Sequence, residues 1–299
     1  MLKRLHKLLV LACLLIAAGG HAASVQDDRG RSLEPARAPV RVVSLAPHLT
    51  ELMMAAGAAS LLVAVDAHSD APGLAMALPR LAAYPQPDLE ALLALKPDLV
   101  LVWAAGLSPV TLARFESLGL PVFVSDPRRL DDIPSTLERL ARLLGEGFSI
   151  EASRAALAFR EAVAGLRAQY AQGPSLTVFV QIWSQPLMSV GPGSVLADSL
   201  GTCGAHNILT DARTASVRVD AETVISRAPA LIIATRPDAP EESWRRVGLL
   251  QPNGPARFVA IDGTLLERAS PRMLIPLQKL CAQVQLRRQA AAPERQRSR

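Results

Sequence analysis

The residues best placed to do chemistry in this chain are two carboxylates at matching positions. Asp88-Leu-Glu90 and Asp220-Ala-Glu222 stand 132 residues apart, and the same offset relates Pro97 to Pro229 and Leu99 to Leu231. In each copy the aspartate is of a type that caps a helix start. The glutamate falls in the first turn, where the helix dipole favours a carboxylate by ~0.3–1 kcal/mol. That structural reason is sufficient for both acids. Their matched placement adds a second use, because it puts one acid on the same spot of each half, where a partner with two-fold symmetry could read the pair. The chemistry this offers is ion pairing, not turnover. No Gly-x-Ser-x-Gly elbow and no Walker sequence occurs. Gly191-Pro-Gly193-Ser194 precedes a helix but lacks the third glycine and downstream acid of a dinucleotide fingerprint, so it reads as a turn. His48, His68 and His206 have no metal-ligand spacing, and no metal site, cofactor or catalytic residue is assigned. Trp103 and Trp183 each fall at the end of an expected buried strand. Open parallel sheets take ligands there, so the two rings are either walls of a cleft or core residues.

The elements that must position these residues alternate between strand and helix. In the first half the pattern predicts strands at Arg41–Ala46, Leu61–Asp66, Leu99–Trp103 and Pro121–Asp126. Helices are expected from Pro47 to Gly57, after Asp88, near Ser108–Leu118 and over Asp131–Leu144. A loop through His68-Ser-Asp70 reaches Tyr84. The second half repeats the theme with strands at Leu176–Ile182, Leu231–Thr235 and Arg257–Asp262, a Pro/Gly-rich turn at Ser189–Gly193, and helices from Ser194, around Trp244 and over Pro271–Gln285. Between the halves, Ala152, Ala155, Ala156, Phe159, Val163, Leu166 and Tyr170 step by three or four along Ser149–Gly173, one face of a single long helix with Ser149 as its cap. The expected fold class is therefore α/β: two similar lobes with central, mostly parallel sheets flanked by helices, joined by one long backbone helix. The expected divisions are a signal peptide over 1–22, a lead-in over 23–40, a first lobe over 41–147, the connecting helix over 148–173, a second lobe over 174–286 and a disordered basic tail over 287–299.

Composition sets the compartment. Lys3, Arg4 and Lys7 precede the apolar run Leu8–Ala18, too short to span a bilayer, and Gly20-His21-Ala22 offers a cleavage site, so the start reads as a cleaved secretory signal. Of 32 basic and 27 acidic residues, three bases stand in that signal, and five bases with one acid follow residue 286. The body between has two more acids than bases, and the high isoelectric point belongs to the ends. Nucleic-acid binding is not supported. Removing the signal takes Cys13 and leaves Cys203 and Cys281. That even count in an exported protein favours one disulfide over two free buried thiols.

From Arg41 to Val284 the sequence resembles the periplasmic receptors of bacterial importers for vitamin B12, ferric siderophores and haem. The likeness rests on RVVSLAPHLTELMMAAG (41–57), His68-Ser-Asp70, DLEALLALKPDLVLVW (88–103), SLGLPV (117–122) and Cys203-Gly-Ala-His-Asn-Ile208. It ends in Glu267-Arg-Ala-Ser-Pro-Arg272 and Leu280-Cys281, a run most similar to the cobalamin-binding member. The resemblance implies a periplasmic, non-catalytic, monomeric receptor that hands its cargo to an ABC permease and its ATPase. It implies that Glu90 and Glu222 dock onto permease arginines, and that Cys203 and Cys281 are bonded. It also implies a cleft lined by Pro47, His48, His68, Tyr84 and Trp103 from the first lobe and by Trp183, Met188, Ser216, Thr264 and Arg268 from the second. Where this chain has Tyr84, His68, Ser216 and Thr264, the cobalamin-binding member has Trp, Tyr, Trp and Asp; Asp262 stands two residues from Thr264 as a substitute. The cargo expected is cobalamin or a related corrinoid. The alternatives are haem, which a tyrosinate such as that of Tyr84 can ligate, or a ferric siderophore. A bare Zn or Mn receptor and an exported α/β enzyme are the remaining readings.

Overall fold

The structure is a computed structural model that describes residues 24–74, 77–83, 86–236, 241–250 and 256–291. The signal expected over 1–22 lies outside the described residues. The chain enters through a two-stranded antiparallel hairpin, β1 (Val25–Gln26) and β2 (Ser32–Leu33). The segment expected as a lead-in is tied to the first lobe: Val25 is 2% exposed, and Asp28 donates its backbone N–H to Val124 at 2.9 Å. The hairpin thereby pairs polar backbone that an unstructured segment would leave to water.

Five parallel strands build the first lobe: β3 (Val42–Ser44), β4 (Leu62–Asp66), β5 (Arg80–Leu81), β6 (Leu99–Trp103) and β7 (Val122–Ser125), in the order β5-β4-β3-β6-β7. Helices α1 (Pro47–Ala55), α2 (Leu89–Ala94), α3 (Pro109–Ser117) and α4 (Asp132–Leu144) return the chain between and after them. Both faces of the sheet are covered, which is why its inner strand β6 reads as an unbroken apolar run. Leu99 and Leu101 face the central core, whereas Val100 and Val102 pack with Val43 and Phe115 on the other side.

The connecting helix α5 (Ser149–Tyr170) buries Ala152, Ala156, Phe159, Val163 and Leu166, the stripe the spacing predicts. Ser149 is its first helical residue and not its cap, because a 3₁₀ turn over Glu146–Phe148 leads directly into it.

The second lobe has two sheets. Strands β8 (Leu176–Gln181), β11 (Ala205–Asn207), β13 (Leu231–Ala234) and β14 (Arg257–Ala260) are parallel, in the order β11-β8-β13-β14. Beside them lies an antiparallel sheet of β9 (Trp183–Ser184), β10 (Leu187–Val190) and β12 (Ser216–Arg218), which takes in part of the expected turn. Helices α6 (Val195–Thr202), α7 (Ala221–Ser226), α8 (Glu241–Arg246), α9 (Gly263–Leu266) and α10 (Leu274–Ala291) complete the chain. Ser194 caps α6 through the Ala197 N–H at 3.2 Å, and a Cβ at Gly191 would stand 2.0 Å from the Thr214 carbonyl oxygen. Close backbone approach therefore explains that glycine.

The repeat is visible in the backbone. Asp88 and Asp220 cap α2 and α7 through the N–H groups of Ala91 (3.0 Å) and Thr223 (2.7 Å). Each helix then closes on a non-glycine residue with positive φ, Lys96 (47°) and Ala228 (43°), again 132 positions apart. One buried cluster runs from Val42 through α5 to Val284, so the two lobes share a core. Cys203 and Cys281, both fully buried and 78 residues apart, form a disulfide that ties the end of α6 to α10. Helix α10 continues to Ala291, five residues into the tail expected to be disordered. Arg287 and Arg288 donate to the carbonyls of Ala230 (2.8 Å) and Tyr170 (2.7 Å), which ties the end of the helix to two distant segments. Residues 292–299 lie outside the described residues.

Candidate functional site

Three first-lobe strands end together, and each delivers a side chain to one place. β3 runs into Pro47, the first residue of α1, so His48 follows at the helix start. β6 ends on Trp103 and β7 on Ser125. The Trp103 ring is 43% exposed and meets the His48 imidazole edge-on, with centroids 6.2 Å apart and planes at 84°. His48 is buried, its Nε2 lies 3.4 Å from Ser125 Oγ, and its Nδ1 has no hydrogen bond among the described residues. Burial, reinforced by the positive charge of Arg268, lowers its pKa to about 4. The imidazole is therefore neutral at neutral pH.

The neutral state of His48 has a measurable consequence. Between pH 6.5 and about 4 the unfolded chain gains a proton at this residue that the native protein refuses, so stability falls with decreasing pH by up to ~1.4 kcal/mol per pH unit. Above pH 6.5 the effect vanishes. His48→Gln is expected to flatten the fall in denaturant-measured stability between pH 7 and pH 5 by roughly one proton's worth; parallel slopes in the two proteins would contradict the assignment.

The second lobe presents its aromatic residue from the antiparallel sheet. Gln181, the buried last residue of β8, accepts from Trp244 Nε1 at 2.8 Å and donates to Ser184 Oγ at 3.0 Å, which fixes how β9 leaves the parallel sheet. Trp183 is 49% exposed, and its Nε1 donates to the Gln185 carbonyl at 3.0 Å. The Arg236 guanidinium lies over the ring, 5.2 Å from its centroid. Met188 pairs directly with Trp183 across the sheet, and exposed Ser216 pairs with Val190 on the far strand. Trp183, Met188 and Ser216, far apart in sequence, therefore share one small sheet.

Other expected cleft residues are placed differently. Asp262 caps α9 by accepting the Thr264 N–H at 2.8 Å, and that bond holds its carboxyl below the usual range. His68 projects its side chain into solvent, 83% exposed, and contributes its carbonyl to Arg268 at 3.3 Å. Tyr84 lies outside the described residues. Arg268 itself bridges the lobes: it donates to Glu51 at 3.0 Å and to Asp70, while Arg272 donates to Glu51 at 2.7 Å and to Asp70 at 3.3 Å. Ser270 donates to the other Glu51 oxygen.

Sequence reasoning missed Glu51, Asp70, Ser270, Arg272 and Arg236. A signal existed for one of them: Glu51 is a lone carboxylate in the apolar run 41–57, and a buried carboxylate demands a partner. Among the described residues no group of three or more His, Cys, Asp or Glu is placed to hold a metal ion, and no helix is long and apolar enough to cross a membrane.

Glu90 and Glu222 are exposed, each in the first turn of its capped helix. Both helices return the chain to the start of a parallel strand, which puts their N-termini on the carboxyl side of the two sheets, the side that carries Trp103.

The periplasmic binding protein family model matches residues 42–247. The chain belongs to that family. As a periplasmic binding protein it is of a non-catalytic, substrate-binding kind. A vitamin B12-binding protein of Yersinia pestis (strain Pestoides F) is 36% identical over 250 residues, covering 84% of this chain and 88% of the relative. The crystal structure of the periplasmic vitamin B12-binding protein BtuF of Vibrio cholerae superposes with a TM-score of 0.75 at 29% identity, covering 84% of this chain and 98% of that one. A periplasmic heme-binding protein from Pseudomonas aeruginosa gives a TM-score of 0.68 at 26% identity over 82% of this chain and 92% of that one.

Proposed function

We propose that this chain is the periplasmic substrate-binding component of an ABC importer, taking cobalamin or a related corrinoid between its lobes and presenting it to the membrane permease. The observation that carries the reading is the 36% identity to a vitamin B12-binding protein across 84% of this chain. The cleft's chemistry supports it. Trp103 and Trp183, one from each lobe, are the exposed aromatic surface that a flat macrocycle would cover; His48 meets Trp103 edge-on, Met188 pairs with Trp183, and Ser216 lies on the same small sheet. Asp262 and Thr264 stand at the cap of α9, and Arg268 follows it at the junction of the lobes. The signal expected over 1–22 supports a periplasmic location, and in this reading Glu90 and Glu222 meet basic residues of a two-fold permease.

A haem or ferric-siderophore cargo is the second reading. It is favoured by the similarity to the Pseudomonas aeruginosa heme-binding protein and by a tyrosine at position 84. Titrating the mature protein with cyanocobalamin, cobinamide, haem and a ferric siderophore, followed by calorimetry and absorbance, decides between them. Tight one-to-one binding of the corrinoids alone is the expected result; tight binding of haem alone with a shifted Soret band would replace it.

A further inference from the structure

Helix α1 presents two polar residues one turn apart on one face, His48 toward Trp103 and Glu51 toward the second lobe. Glu51 is 4% exposed and both its oxygens are engaged by the opposite lobe: Oε1 accepts from Arg268 at 3.0 Å and Arg272 at 2.7 Å, and Oε2 accepts from Ser270. Asp70, exposed in the loop after β4, accepts from the same two arginines and completes a balance of two acids against two bases. The terminal nitrogens of Arg268 all bond to first-lobe acceptors, the His68 carbonyl included. We propose that Glu51, assisted by Asp70, is a positioning residue that holds Arg268 and Arg272 across the junction of the lobes, setting the separation of the two cargo walls before cargo arrives.

The physical case rests on where the charges sit. The partners of Glu51 come from a stretch more than 200 residues away, directly after α9, which also carries Thr264 and its cap Asp262. A buried carboxylate between two guanidiniums has few alternative arrangements, since withdrawing either lobe leaves uncompensated charge. The Arg268 guanidinium also holds the Asp70 carboxyl below its usual range, the direction a standing ion pair gives. The shared core and α5 hold the lobes together; the four-charge clasp would fix their angle. That a cargo lies between the walls rests on the function proposed above, whereas the clasp itself does not.

The test measures lobe separation without cargo. Spin labels on Val110→Cys in the first lobe and Val247→Cys in the second, both exposed, report the distance distribution in the full chain with its disulfide intact. A single narrow distance is expected in the parent. Glu51→Gln should broaden it and move its mean by several ångströms, with Asp70→Asn, at a solvent-exposed site, giving a smaller change in the same direction. Cyanocobalamin association should slow about tenfold in Glu51→Gln, because a cleft that is no longer preset must first be gathered. Unchanged distance distributions in the folded variants would overturn the proposal. If Glu51→Gln fails to fold, Asp70→Asn decides alone. A changed distribution in a protein that binds no corrinoid would uphold the clasp and refute the cargo instead.

Discussion

Replacing Glu90 and Glu222 together by alanine is expected to lower cobalamin uptake by a reconstituted importer at least tenfold, while the affinity of the free receptor stays within twofold. Both carboxylates are exposed, neither takes part in the interlobe clasp, and neither is needed to cap its helix, since Asp88 and Asp220 do that. Their loss from a first helical turn costs only ~0.3–1 kcal/mol each, so the variant stays folded. Docking suffers more than this local change suggests. Two contacts to one rigid partner act as a bivalent pair, and once one is made the other forms at high effective concentration. Single variants should therefore be intermediate, and the parent's docking should weaken with salt, as rim charges require. Wild-type uptake by the double variant would remove the docking role from these acids.

Cargo affinity should collapse when the two exposed tryptophans are cut back. Trp103→Ala and Trp183→Ala each remove a large face that is 43% and 49% open in the free protein. Covering roughly 100 Å² of such surface at ~25 cal/mol per Å² is worth about 2.5 kcal/mol, or close to a hundredfold in affinity per ring. The thermal midpoint should move little, because neither ring belongs to a buried cluster. Trp183→Ala also removes the ring face on which the Arg236 guanidinium lies. Calorimetric titration of both variants with cyanocobalamin measures the effect. Affinities equal to the parent's would put the cargo outside this cleft.

Much of the architecture was legible because local and global preferences agree. The strands Leu99–Trp103 and Leu231–Ala234 are apolar along their whole length, as central parallel strands must be when both faces are covered. Asp88 and Asp220 announce their helices by a bond that spans only three residues. The three-or-four step along α5 needs no knowledge of what it packs against. The family likeness was legible for the same reason, since its motifs are contiguous runs.

The site was legible only in part. β9, β10 and β12 are two to four residues long, too short to carry a period, and they cohere only because Met188 finds both Trp183 and Arg218 across the sheet. The helix expected to stop at Gln285 continues because Arg287 and Arg288 meet carbonyls from distant segments. Glu51 and Arg268 are 217 residues apart, and nothing local relates them.

By itself the sequence determined the alternation of strands and helices, the doubled unit with one acid at each copy, the spacer helix and the parity of its cysteines. These follow from steric preference, hydrophobic period and hydrogen bonds within a few residues. The tertiary structure decided which polar groups meet: His48 with Trp103 and Ser125, Trp183 with Arg236, and Glu51 and Asp70 with Arg268 and Arg272. Coulombic and packing partners are selected by distance in space, and only the closing of two sheets around one helix sets those distances.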